Sequence, residues 1–175
     1  MTDVEIPTEE IHSDSDRRVG LVISILAVLL AVVSALGSKS DNDEIVGRVN
    51  ASNTWAYFQA KKNRSFQLEL NQDLLRTLAP SNPKAEALLK RYEETVSRYK
   101  TEGEEITGQA KAYEAQAEAA EKQGNGYDLA EVLLQVALVL SSVTILSKNP
   151  LFFRVGLGFS AGALAVFLYS LLALG

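Results

Sequence analysis

Residues 19–36 read VGLVISILAVLLAVVSAL, 18 positions without a charge. As a helix rising 1.5 Å per residue they reach about 27 Å, close to the roughly 30 Å hydrocarbon core of a bilayer. Two more apolar stretches, 132–146 and 155–174, follow later, and what lies between the first and second is as polar as a soluble helix. At 175 residues and 47% hydrophobic content, an ordinary globular domain would be possible. The crowding of apolar residues into three blocks argues against one.

The expected fold is therefore an all-α membrane protein, with three transmembrane helices and a long antiparallel coiled-coil helical hairpin between the first and second spans. Its expected parts are a disordered acidic tail over 1–18, span 1 over 19–36, an extramembrane hairpin over 37–126, span 2 over 127–146, a short loop over 147–154 and span 3 over 155–174. Within the hairpin the two helices are placed at about 43–79 and 83–123. The tail holds six acidic residues against Arg17 and Arg18 and too few apolar side chains to offset chain entropy. A cleaved signal peptide is the rival to span 1, since Ala35-Leu36-Gly37 offers small residues after the apolar run. The long acid-rich segment ahead of it favours a retained anchor.

Several chemistries lack their residues. There is no Cys, so no disulfide, thiolate metal site or cysteine nucleophile exists, and His12 is the only histidine. A formal charge of -5, much of it in the tail, lacks the electrostatic footprint of nucleic-acid binding. No catalytic constellation is visible, and neither an enzyme nor a cofactor is expected.

Gly37-Ser38 is expected to break the first helix, with Asp41 and Glu44 forming a capping box that starts the next. From there Ile45, Val49, Ala56, Phe66, Leu70, Leu74 and Leu78 recur on one face, interrupted by Ser52, Gln59 and Asn63. Pro80-Ser81-Asn82-Pro83 reads as the reversal, with Asn82 as cap and Pro83 at the first helical position. Beyond it Leu89, Tyr92, Val96, Tyr99, Gly103, Ile106, Ala110, Tyr113, Ala117 and Ala120 alternate in steps of three and four, a heptad seam whose side chains shrink toward its end. Gly124-Asn125-Gly126 is expected to stop that helix.

In span 2, Asp128, Glu131, Gln135 and Ser142 share one helical face and are candidates for a polar intramembrane path. For Asp128 and Glu131 a capping box is the favoured reading over an ion site. Gln135 lies a turn deeper and needs a hydrogen-bond partner, expected from another helix. In span 3, Gly158 and Gly162 form a small-xxx-small pair suited to close helix packing. Arg17, Arg18, Lys148 and Arg154 put the N-terminus and the last loop on the cytoplasmic side, so the hairpin is expected to be periplasmic in a bacterial inner membrane.

Trp55, Tyr57 and Phe58 crowd the first arm beside Gln59. Trp55 and Phe58 lie on one side of a helix and Tyr57 points elsewhere, so a single partner helix cannot cover all three. Trp55, Tyr57, Phe58, Gln59, Gly158 and Gly162 are accordingly the expected oligomer or partner interface. The Trp-Ala-Tyr-Phe-Gln-Ala-Lys run at 55–61, the span ahead of it, Arg91-Tyr92-Glu93 and the AEVLLQ of 130–135 resemble domain-of-unknown-function family 4337 of small bacterial membrane proteins. That resemblance implies three spans and no assigned activity. The functional expectation is a non-enzymatic homo-oligomer whose hairpin is a scaffold or interaction module, with the lipid bilayer, its own copies and another membrane or periplasmic protein as partners. The alternative is an oligomeric channel or transport component.

Overall fold

The computed structural model describes residues 14–79 and 82–173. Pro80, Ser81, His12 and most of the acidic tail lie outside them. All regular structure among the described residues is helical: α1 spans Asp14–Leu78, α2 Pro83–Ser147 and α3 Pro150–Ala173. Each of the three is long and apolar enough to cross a membrane.

α1 and α2 have no internal break. α1 starts at Asp14, inside the stretch expected to be a loose tail, and Asp16 accepts a 2.7 Å ion pair from Lys148. It runs on through Gly37-Ser38, and α2 runs on through Gly124-Asn125-Gly126. The reason is energetic: an internal glycine costs a helix only about 1 kcal/mol relative to alanine, whereas a stop needs a proline or a left-handed residue. No described glycine has a positive φ. The two capping boxes disappear with the breaks. Glu44 instead accepts from Arg48 at 2.6 Å, and Glu131 accepts from Gln135 at 3.0 Å.

The real ends carry asparagine caps, the expected one at Asn82 and a second at Asn149, inside the expected loop. Asn82 Oδ1 accepts from the Lys84 amide at 3.0 Å, with Pro83 opening α2. Asn149 Oδ1 does the same for Leu151 at 3.0 Å, with Pro150 opening α3. Lys148 takes φ 56° between α2 and α3, so the loop expected over 147–154 shrinks to Lys148 and Asn149.

Two compact units share these helices, one of residues 14–40 with 122–173 and one of residues 41–121. In the first, α1 buries Val19, Leu26, Val33 and Ser40 at intervals of seven. α2 buries Tyr127, Ala130, Leu134, Ala137, Ser141 and Thr144 in alternating steps of three and four, one face of the helix. Small residues set the spacing. A Cβ placed on Gly126 would stand 1.8 Å from Ser170 Oγ, and one on Gly156 would stand 3.1 Å from the Ala137 carbonyl. α3 thus meets α2 through Gly156 and Ser170, while Gly158 and Gly162, the expected packing pair, have nothing near them among the described residues.

In the second unit, α2 buries or half-buries every expected seam position from Leu89 to Ala120. α1 does not present the face expected of it. Its inward residues are Glu44, Gly47, Ala51, Thr54, Phe58, Lys61, Ser65, Leu68, Gln72 and Leu75, again in steps of three and four. The apolar series is turned outward, with Ile45 60%, Phe66 60% and Leu78 78% exposed. The approach of the backbones decides this. A Cβ on Gly47 would meet Ala117 Cβ at 3.0 Å and the Ala117 backbone at 3.2 Å, a spacing that Ile45 or Val49 could not occupy.

Candidate functional site

The aromatic run of α1 sits in the second unit, and its members separate by role. Trp55 Nε1 donates to Glu114 Oε1 at 2.8 Å, and its ring meets Phe58 edge-on with centroids 5.7 Å apart. Phe58 reaches into the notch left by Gly103, where an added Cβ would lie 3.3 Å from Phe58 Cε2. Both side chains therefore close the arm against α2. Tyr57 stays exposed, as does Gln59. Of the four expected interface residues on this arm, only these two keep their surface.

Lys61 organises the next turn. Its ammonium donates to Glu102 and lies 4.9 Å from the Tyr57 ring centroid and 5.5 Å from that of Tyr99, within cation–π range of both. The Glu102 hydrogen bond, followed by the one to Tyr57, holds the Lys61 ammonium above its usual pKa range, with desolvation opposing them. Nearby, Phe58, Phe66, Tyr99, Lys62 and Lys100 line an open groove of about 700 Å³. Arg48 bridges Glu44 and Glu121, at 2.6 and 2.8 Å, and hydrogen bonding to Glu44 raises its pKa. Lys100 with Glu69 at 3.5 Å and Arg76 with Glu93 at 2.8 Å continue the ion pairs along the arms. Sequence reading missed Lys61 and Gln72 as inward residues because their polarity marks them for solvent. The available signal was their four-three spacing from Gly47 and Ala51.

The first unit carries the polar face of α2. Asp128, Gln135 and Ser142 are exposed and Glu131 is partly so. Gln135 Nε2 donates to Glu131 one turn earlier, not to another helix as expected, and Ser142 donates to the Leu138 carbonyl at 2.9 Å. Asp128 lies beside Gly37, where a Cβ would be 3.6 Å from its Oδ1. This face is continuous with Leu129, Val132 and Val139, which are also exposed. No cluster of three or more metal-ligating side chains occurs among the described residues.

No curated protein and no solved structure gives a significant match to the chain. A family model does, covering residues 15–173, which include the aromatic run, the polar face of α2 and all of the three helices except Asp14. The chain belongs to the family described as a domain of unknown function, DUF4337.

Proposed function

We propose that the chain is a non-enzymatic, homo-oligomeric protein of a bacterial inner membrane, whose arms form an antiparallel coiled-coil hairpin serving as a scaffold or interaction module. The pairs Arg48–Glu121, Trp55–Glu114, Lys61–Glu102 and Arg76–Glu93 support the antiparallel hairpin, because residue numbers rise on one arm as they fall on the other. The observation that carries the oligomer is the outward apolar face of α1. A monomer leaving Ile45, Val49, Phe66, Leu70, Leu74 and Leu78 in water would forgo the burial that drives association. Tyr57 and Gln59 on that arm, with Gly158 and Gly162 on α3, remain available to the same assembly. The basic residues Arg17, Arg18, Lys148 and Arg154 support a cytoplasmic N-terminus and a periplasmic hairpin. Light scattering of the purified chain in nanodiscs tests the reading: a uniform multiple of the monomer mass is expected, and a stable monomer refutes it.

One observation favours a second reading, a channel or transport component. Glu131 and Gln135 pair along the exposed face of a membrane-length helix, where hydrocarbon is a poor solvent for both, and the corresponding faces of several copies would form a polar path. Liposome flux decides it. Flux that Glu131→Ala and Gln135→Leu leave unchanged removes the path.

A further inference from the structure

The outward face of α1 is itself a heptad seam, opposite the one used by the hairpin. Ile45, Val49, Ser52, Ala56, Gln59, Asn63, Phe66 and Leu70 follow in strict steps of four and three, and all are exposed. Leu74 and Leu78 extend the face at steps of four, a local unwinding of the kind coiled coils absorb. Its apolar members, Ile45 and Val49 before the polar middle and Phe66, Leu70, Leu74 and Leu78 after it, lie on a side of α1 that α2 does not cover.

We infer that this seam is occupied by the α1 of a second copy of the chain, parallel and in register. The inference rests on the homo-oligomeric reading and specifies its interface. Three observations select this occupant. First, direction: each α1 continues without a break from an apolar segment of membrane-spanning length, so copies inserted alike in one membrane send their α1 chains the same way. Second, pattern: the face is apolar at both ends and polar in the middle, and among parallel alignments only the in-register one pairs like with like over the whole length. Gln59 then meets Gln59 and Asn63 meets Asn63, and amides both donate and accept, so each pair closes its own hydrogen bonds. An asparagine at a core position is also the residue that fixes register in parallel coiled coils. Third, area: Ile45, Val49, Phe66, Leu70, Leu74 and Leu78, at about 100 Å² each, offer about 600 Å² per copy, approaching the roughly 800 Å² per partner of a standard interface.

The chain has no native cysteine, which makes the test direct. In a parallel pair, matching core Cα atoms come within the about 6 Å that a disulfide needs. Ala56→Cys and Asn63→Cys, each alone in the full chain in nanodiscs, should give a disulfide-linked dimer under mild oxidation. Ala112→Cys, on the exposed far face of α2, should remain uncrosslinked. Leu70→Glu should shift the assembly to monomer mass with its helical circular dichroism intact. Absence of crosslinking at both Ala56 and Asn63, with the multimeric mass retained, overturns this interface and leaves the oligomer standing. Monomeric mass for the unmodified chain overturns both. Crosslinking of Ala56→Cys copies only with Gln59→Cys copies reveals an antiparallel pair and overturns the inference as well.

Discussion

The contact between Gly47 and Ala117 gives the sharpest test of how the arms are held. Consider Gly47→Ala beside Gly108→Ala. Both replace an internal helical glycine, so both gain about 1 kcal/mol of helix propensity. At Gly108 an added Cβ meets nothing within 4 Å among the described residues, and the gain stands alone. At Gly47 the same methyl arrives 3.0 Å from Ala117 Cβ and 3.2 Å from the Ala117 Cα and nitrogen. Carbon atoms prefer about 3.5–4.0 Å, so the shortfall is at least about 0.5 Å at Ala117 Cβ and about 0.3 Å at the two obstructing backbone atoms. α2 must retreat as a body, loosening its neighbouring contacts, and overpacking of this kind costs about 1–3 kcal/mol. The net expectation is stabilisation by about 1 kcal/mol for Gly108→Ala and destabilisation by up to about 2 kcal/mol for Gly47→Ala. Trp55, the only tryptophan, lies in this unit and hydrogen-bonds Glu114 across the arms, so its emission during urea titration of the full chain follows this unit. Equal midpoints, or a higher one for Gly47→Ala, would refute close backbone approach as the determinant of arm packing.

Three further substitutions probe other contacts. Gly126→Ala places a methyl 1.8 Å from Ser170 Oγ and 2.8 Å from its Cβ, so it should lower the thermal midpoint in detergent strongly, and adding Ser170→Gly should restore most of the loss. Gln72 Nε2 is buried without a hydrogen-bond partner among the described residues, so Gln72→Leu should stabilise the chain by about 1 kcal/mol in the same urea titration. The pKa of Lys61 is raised in the folded state, so its contribution is complete below the unfolded value near 10.5 and is lost as pH climbs through the folded one. The stability gap between the native chain and Lys61→Met should accordingly hold constant from neutral pH and close above that point, and a gap that widens with alkalinity would contradict the Lys61–Glu102 pairing.

The sequence was most legible where burial and hydrophobicity coincide. The α2 arm declares its inward face because Val96, Ile106 and three tyrosines occupy it, and the helix start at Pro83 follows directly from its asparagine cap, whereas the start at Pro150 falls inside the expected loop. The interruptions at Gly37-Ser38 and Gly124-Asn125-Gly126 misled because glycine was read as a stop, and neither site has the left-handed geometry that makes it one. The pairing of Glu131 with Gln135 was hidden for a related reason. Without a helix start there, the carboxylate has no backbone amides to cap and turns to the amide one turn away.

The inward face of α1 was illegible because size, not polarity, selects it. At Gly103, Ala110 and Ala117 the α2 seam carries residues too small to hold another helix at ordinary distance, so the residues facing those positions must be small too, or must fill a glycine notch as Phe58 does. Gly47 and Ala51 satisfy that condition, and Ile45 and Val49 do not. Farther along, ion pairs from Lys61, Lys100 and Arg76 tie polar groups to the same side. Once rotation is fixed by these contacts, the helical period carries the apolar residues to the opposite side, where α2 cannot reach them. The exposed stripe is therefore a consequence of how α1 closes on α2 in this unit, and it persists as long as Gly47 and Ala117 remain in contact. A substitution that separates those two residues should rotate α1 and disturb the outer seam together with the inner one, which makes the two faces of α1 a single packing decision.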